Sequence, residues 1–276
     1  MTGRLAALIG SPVAHSLSPV IHRAAFDAAD VDWSYVAFDV AEGRAGDALA
    51  AMRVLGIAGL SVTMPHKRAV AEAVDRLEPA ARALQSANTV SWDGNELVGS
   101  STDGAGFVAS LADEGVDVAG CRVAVIGAGG AARSVIDALG RAGAIDITVL
   151  NRTRDTAELA ATLAAAASVG IVSDVARADI VVNATSVGMG VSPSAATVED
   201  MPCDPGLLRP DHVVVDLVYH PLRTTWLQAA DDLGATTIDG LGMLVQQAVL
   251  QQERWLGHRP DPDVMRAAAE AELVSR

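Results

Sequence analysis

Arg122-Val-Ala-Val-Ile-Gly127-Ala-Gly129-Gly130-Ala-Ala132 decides the fold. A short apolar run ends in clustered glycines and then turns alanine-rich. That is the pattern of a buried strand, a tight turn and a helix start. Glycine there lets backbone N–H groups approach a pyrophosphate at the helix N-terminus. Downstream, Asn151-Arg152-Thr153-Arg154 closes the next strand with arginines. A carboxylate at that place binds a ribose 2′-hydroxyl, whereas arginine accepts a 2′-phosphate. Together the two stretches predict an NADP(H) site built from Gly127, Ala128, Gly129, Gly130, Ala131, Asn151, Arg152, Thr153 and Arg154.

Strand and helix signals alternate on both sides of this turn, so the fold class is α/β. Around it, strands are expected near residues 122–126, 147–150, 180–183 and 213–217, with helices near 131–142 and 157–166. Upstream, strands are expected at residues 5–9, 33–40 and 59–64. Helices follow at 19–29, with Ser18 as N-cap, and at 44–55, 68–74 and 79–84. Asp93-Gly94-Asn95-Glu96 is a hairpin turn between strands at 88–92 and 97–100. A helix starts at Asp103. Residues 192–210 read as a long surface loop. A short strand at 236–238 and helices at 241–256 and 263–270 end the chain. A dinucleotide fingerprint normally opens its domain. Residues 1–103 therefore form a separate α/β domain and residues 104–239 the nucleotide domain, with substrate meeting cofactor in the cleft between them.

Half of the 276 residues are hydrophobic and only 3% aromatic, so the core is built from Ala, Val, Leu and Ile. The formal charge of −14 argues against nucleic acid as a partner. Any anion must meet a locally positive site. Cys121 and Cys203 lack metal or redox spacing, so a reducing cytoplasm and two inert thiols are expected. No metal site is expected, since His66 has no partners in the sequence. No stretch has the length and composition of a membrane span or a secretory signal.

Polar residues gather where strands end. Ser16 and Ser18 lie at the N-terminus of the first helix, a receptor for a carboxylate. Lys67 follows the third strand in Ser61-Val-Thr63-Met-Pro65-His66-Lys67. A lysine there can exchange a proton or, as an ammonium, stabilise an alkoxide. Asp103 either caps its helix or orients Lys67. Asn183-Ala-Thr185-Ser186 suits a loop lying along a dinucleotide. Gly240 and Met243 sit where the last strand becomes a helix. Successive helical residues point about 100° apart, so one of Gln246 and Gln247 faces a given site.

In order along the chain, these motifs resemble those of the shikimate dehydrogenase family over nearly the full length. They are His15-Ser16-x-Ser18-Pro19, Val62-Thr63-x-Pro65-x-Lys67, Ala87-Asn88-Thr89, Thr102-Asp103-Gly104 and the glycine turn. Asn151-Arg152-Thr153, Asn183-Ala-Thr185-Ser186, Asp216 with Tyr219, and Asp239-Gly240-Leu-Gly242-Met243-Leu complete the set. The resemblance implies reversible, NADP-dependent reduction of 3-dehydroshikimate to shikimate. It implies a substrate domain completed by residues 240–276. It assigns Lys67 and Asp103 as the catalytic pair, and Ser16, Ser18, Thr63, Asn88, Tyr219 and Gln247 as substrate contacts. Thr185, Leu217, Gly240 and Met243 join the cofactor set. Family members usually carry Asn at the positions of Ser61 and Ser101, which bears on substrate specificity. Quinate or an aminoshikimate is the alternative substrate, and a non-catalytic NADP-sensing module the alternative class. A cytoplasmic monomer or homodimer is expected.

Overall fold

The computed structural model describes residues 3–191 and 197–275. The chain divides into two compact units, residues 1–102 with 245–276, and residues 103–244.

The first unit begins with β1 (Arg4–Gly10), α1 (Ser18–Ala28), β2 (Trp33–Asp39), α2 (Ala45–Leu55) and β3 (Gly59–Val62). It continues through α3 (Lys67–Ala73), β4 (Arg76–Leu77), α4 (Pro79–Leu84), β5 (Thr89–Asp93) and β6 (Glu96–Ser100). The six strands form one sheet in the order β2-β1-β3-β5-β6-β4. β1, β2 and β3 are parallel, and β5 and β6 form the expected hairpin with Asp93 opposite Glu96. Alternating β1 residues feed two cores. Ala7 and Ile9 pack with Leu49, Met52 and Leu60, while Ala6 and Leu8 pack with Phe26, Tyr35 and Trp255.

The second unit holds α5 (Asp103–Asp113), β7 (Arg122–Ile126), α6 (Gly130–Arg141), β8 (Asp146–Leu150), α7 (Arg154–Ala161) and β9 (Ala167–Val169). β10 (Ile180–Asn183), β11 (Val213–Asp216), α8 (Thr225–Asp232) and β12 (Thr236–Ile238) follow. Its sheet is wholly parallel, in the order β12-β11-β10-β7-β8-β9. The order reverses between β7 and β10, the place where doubly wound sheets bind ligands. β7 is buried on both faces, Val123 and Val125 in one core and Ala124 and Ile126 in the other. The last elements are α9 (Gly240–Leu256) and α10 (Pro262–Ser275). The division between the units falls inside α9, after its first turn, and not at its first residue.

Several expectations are corrected. α1 starts at Ser18 with Leu17 at the cap position, so Ser18 is not the cap. Leu17 is buried, which fixes the chain one residue earlier. Lys67 is the first residue of α3, not part of a preceding loop. The alanine-rich helix ends at Ala161, because residues 167–169 pair with β8. β4, β9 and α8 were not expected. Within residues 192–210, residues 192–196 lie outside the described ones, and short 3₁₀ turns occupy Val198–Asp200 and Pro205–Leu207.

His22 of α1 is fully buried and stacks on Tyr35, ring centroids 4.3 Å apart. Burial drops its pKa to about 3, against a hydrogen bond to Gln251 that raises it. Between that value and the ordinary 6.5, the unfolded chain binds the extra proton, so stability falls as pH falls. From pH 6.5 to 5 the effect is about 2 kcal/mol. Urea unfolding at pH 7 and pH 5 should show that His22→Phe has a smaller loss of stability than the parent by about this amount.

Candidate functional site

At the reversal point of the second sheet, Gly127 leaves β7 with φ +119°. A Cβ there would lie 2.8 Å from the Ala184 carbonyl oxygen, so only glycine lets the β7 and β10 loops meet. Gly127 N–H donates to the Leu150 carbonyl and Ala184 N–H to that of Ile126. This brings Gly127, Ala128 and Thr185 together. Gly129 and Gly130 differ from Gly127, because a Cβ on either meets no protein atom within 4 Å. Protein packing does not require glycine there, whereas a ligand pressed against the first turn of α6 would. Gly129, Gly130 and Ala131 are exposed at that turn. A pyrophosphate fits this cradle.

Asn151, Arg152 and Thr153 form the exposed bend between β8 and α7. The Asn151 amide donates to the Thr153 carbonyl (2.9 Å) and to Thr156 Oγ1 (2.6 Å). Arg154 donates to Glu158 at 2.8 Å, one turn along α7. Arg152 therefore carries the main positive charge at the bend itself.

A buried carboxylate ties the neighbouring loops. Asp216, at the end of β11, accepts from Asn183 Nδ2 (2.8 Å), Thr224 Oγ1 (2.8 Å) and the Val218 N–H (3.0 Å). Burial pushes its pKa up to about 6 against these donors. Asn183 Oδ1 accepts in turn from Thr185 N–H and Oγ1. The Leu217 N–H donates to the Asn183 carbonyl at 3.0 Å, which places Leu217 beside this loop. The Gly240 backbone lies so close to the Leu217 carbonyl that a side chain could not fit between them. Met243 packs on the core of the same unit. Tyr219 lies in the loop after β11, half-buried.

In the first unit, the polar residues collect at the carboxyl ends of β1 and β3. Ser18 N–H donates to Ser16 Oγ at 3.2 Å, so the Ser16 hydroxyl oxygen caps the start of α1. Gly10 makes room for Thr63, whose methyl group occupies the space a Cβ would need. His66 is buried and bonds the Val40 carbonyl through Nε2 at 2.7 Å, a packing role.

Lys67 is held from behind. Its carbonyl accepts from the Ala87 N–H at 2.9 Å. The next residue, Asn88, grips Thr102. Its Oδ1 accepts the Thr102 N–H (2.9 Å) and its Nδ2 donates to Thr102 Oγ1 (2.9 Å). Asp103 follows Thr102 directly and starts α5. Gln247 is buried on α9, while Gln246 accepts from Arg259 at 2.7 Å. The sequence reading missed Thr224 and four members of a buried polar layer, His22, Tyr35, Gln251 and Gln252; the fifth, Ser61, it noted only for substrate specificity. The visible signal was the second glutamine pair of α9, Gln251-Gln252, directly after the apolar run Ala248-Val249-Leu250.

Among the described residues, no group of three or more His, Cys, Asp or Glu could hold a metal ion. Among them too, no helix is long and apolar enough to cross a membrane.

Three family models match the chain. Residues 8–90 match the shikimate dehydrogenase substrate binding domain, residues 110–218 shikimate / quinate 5-dehydrogenase, and residues 240–270 the shikimate 5′-dehydrogenase C-terminal domain. The shikimate dehydrogenase (NADP(+)) of Symbiobacterium thermophilum is 42% identical, covering 98% of this chain and 95% of its own. The Thermus thermophilus shikimate 5-dehydrogenase, crystallised with NADP(H) and shikimate, superposes with a TM-score of 0.89. It is 34% identical and covers 97% of this chain and 99% of its own. Ligand-free 5-ketofructose reductase of a Gluconobacter species superposes with a TM-score of 0.91 at 35% identity, over 98% and 99%.

Removing a carboxylate that satisfies the donors of Asn183, Val218 and Thr224 leaves them buried without an acceptor. Asp216→Ala is expected to lower unfolding free energy by about 2–3 kcal/mol. Chemical denaturation measures it.

Proposed function

The chain belongs to the shikimate dehydrogenase family, and we propose that Lys67 and Asp103 carry the proton chemistry of its reaction. That reaction is the reversible, NADP-dependent reduction of 3-dehydroshikimate to shikimate. One observation supports the assignment above all. The 20 Lys and Arg residues include a single lysine, Lys67. Arginine serves wherever this protein needs a fixed cation, but a guanidinium does not give up its proton in a protein. An ammonium does, and the one ammonium-bearing side chain stands at a strand end of the substrate unit.

In the direction of reduction, the ring ketone oxygen gains negative charge as its carbon becomes tetrahedral. Lys67 stabilises that oxygen and transfers a proton to it, which leaves a neutral amine. In the reverse direction the amine takes the hydroxyl proton. Asp103 holds Lys67 and a ring hydroxyl in register. Proton transfer of this kind contributes about 10²–10⁴-fold, and positioning supplies much of the rest. Ser16 and Ser18 receive the carboxylate at the start of α1, where the helix dipole favours an anion. Thr63, Asn88, Tyr219 and Gln247 bond the ring hydroxyls and carboxylate.

Bound NADPH supplies the hydride. Gly127, Ala128, Gly129, Gly130 and Ala131 hold its pyrophosphate, and Asn151, Arg152, Thr153 and Arg154 its 2′-phosphate. Arg152 is the principal phosphate ligand, since Arg154 is engaged with Glu158. Thr185, Leu217, Gly240 and Met243 border the nicotinamide end. The reading includes residues 1–103 with the C-terminal helices as substrate domain and residues 104–239 as NADP domain. It also includes a cytoplasmic setting and a monomer or homodimer acting on a small molecule.

Lys67→Ala should lose at least a hundredfold in kcat with shikimate KM nearly unchanged. Near-parent turnover would remove Lys67 from the chemistry. An amine-directed reagent has only Lys67 and the chain's amino terminus to attack. Mass mapping should show Lys67 protected by shikimate with NADP. Arg152→Ala should reduce the preference for NADPH over NADH about tenfold, a loss of about 1.4 kcal/mol. Steady-state rates on shikimate, quinate and 5-ketofructose should favour shikimate. Faster turnover of the uncharged ketose would contradict the role given to Ser16 and Ser18.

A further inference from the structure

Behind Asn88 lies a layer of polar side chains sealed from solvent. His22 comes from α1, Tyr35 from β2, Ser61 from β3, and Gln251 and Gln252 from α9, each at most 3% exposed. Tyr35 Oη lies 2.7 Å from Ser61 Oγ, which lies 2.7 Å from Gln251 Oε1. His22 Nε2 lies 3.2 Å from the same Oε1. Gln251 Nε2 donates to the backbone carbonyl of Asn88 at 3.3 Å.

The direction of every bond follows from elementary rules. The Asn88 carbonyl only accepts, so Gln251 turns its NH₂ toward it and its oxygen away. That oxygen only accepts, so Ser61 donates its hydroxyl proton and His22 carries its proton on Nε2. Ser61 has no second proton, so Tyr35 is the donor in the remaining bond. Gln252 Nε2 donates to His22 Nδ1 (3.1 Å) and to the His22 carbonyl (2.9 Å), which requires the same tautomer. Each proton has one place, and the layer converges on Gln251.

What Gln251 holds is the junction of the site. The Asn88 carbonyl also accepts from the Val62 N–H at 2.7 Å, one residue before Thr63. The Asn88 side chain grips Thr102, one residue before Asp103. Ala87 N–H holds the carbonyl of Lys67. We propose that Gln251 is a positioning residue for the reaction, acting through the Asn88 peptide, with Tyr35, Ser61 and His22 fixing its amide in one orientation. The proposal rests on the assignment of Lys67, Asp103 and Asn88 to the site.

Gln251→Glu tests it by pH. A neutral carboxylic acid can donate to the Asn88 carbonyl and accept from Ser61 and His22. A carboxylate cannot donate, and it sets two acceptors against each other. Burial raises the pKa of such a group. The titratable groups facing position 251 are His22 from α1 and, through Ser61, Tyr35 from β2. Below pH 6 the variant should retain kcat within about threefold of the parent. Above pH 8 it should lose at least tenfold in kcat beyond any change in the parent, with a smaller change in shikimate KM. Gln251→Met, which lacks both donor and acceptor, should lose kcat equally at every pH.

Near-UV circular dichroism and thermal unfolding at each pH separate positioning from unfolding. A Gln251→Glu profile parallel to the parent's overturns the proposal. So does a loss of activity that only tracks loss of fold. If that variant does not fold, Ser61→Ala decides, since it removes the hydroxyl that donates to the Gln251 oxygen, whereas Tyr35 also bonds the Ser18 side chain. A fall of about threefold in kcat with unchanged dichroism supports the proposal, and unchanged kcat overturns it. NADPH binding followed by fluorescence should be parent-like throughout. Should Lys67→Ala keep its turnover, the assignment of the site fails. Should Lys67→Ala be inactive while Gln251 variants match the parent, only the positioning role fails.

Discussion

The substrate unit depends on one buried amide. Asn88 sits where the β5–β6 hairpin begins, and its side chain is bonded on both ends. Its oxygen takes the Thr102 N–H and the Thr89 hydroxyl, and its NH₂ reaches Thr102 Oγ1. The backbone continues the pattern, with Asn88 N–H donating to the Ser100 carbonyl. β6 therefore cannot end, nor α5 start, anywhere else without leaving a buried N–H unpaired, which costs about 1–3 kcal/mol. The position of Asp103 follows from this closure, as that of Lys67 follows from the bond to Ala87. Two groups 36 residues apart in sequence are thereby referred to the same short stretch of strand.

The second constraint is electrostatic. A chain of formal charge −14 binds an anionic ring and an anionic cofactor. Many arginines are already paired with acids, Arg122 with Asp179, Arg141 with Asp137 and Arg254 with Glu78 among them. Such pairs contribute little to stability at the surface, but they cancel the charge that could attract a ligand. The starts of α1 and α6 supply attraction without a net charge. At α6 the first-turn N–H groups act at close range, whereas at α1 the Ser18, Val20 and Ile21 N–H groups are already bonded and Pro19 has none, so the dipole and the Ser16 and Ser18 hydroxyls act instead. Local fields override the global one because the distances are shorter than the Debye length, about 8 Å in physiological salt.

The α/β class and the reversal point were legible because they are written in local periods. Apolar runs at residues 122–126 and 180–183 became β7 and β10 with the same bounds. The hairpin was legible because Gly94 takes φ +59° in a two-residue turn. β4 and β9 were not, being only a residue pair and a triplet whose pairing depends on partners elsewhere. Thr162 to Ala166 looked helical because alanine favours helix, whereas tertiary pairing of the residues after it won. The helix over Thr225–Asp232 was hidden behind a polar approach, although Thr224 caps it through the Leu227 N–H. Ser16, Thr63, Lys67 and Asp103 were legible as candidates because they belong to short motifs. In the layer beneath them only Ser61 stands in such a motif. The bonds of that layer span 190 residues from Ser61 to Gln251 and 229 from His22 to Gln251.

That layer also explains an anomaly in the polar accounting of the core. Gln252 Oε1 is buried with no partner among the described residues, although its NH₂ makes bonds to His22 at two atoms. A leucine at this position would remove the unpaired oxygen. It would also leave His22 Nδ1 without a donor, and a neutral imidazole could then move its proton to either nitrogen. With the proton on Nδ1, His22 Nε2 would face the Gln251 oxygen as a second acceptor. The unpaired oxygen is thus coupled to a defined tautomer two residues deep in the chain of bonds. Buried polar groups of this kind add little net stability, and what they select is one arrangement of protons among several of similar packing. In a reaction that moves a proton as well as a hydride, such a selection acts on geometry at the site from a distance that no side chain there could reach.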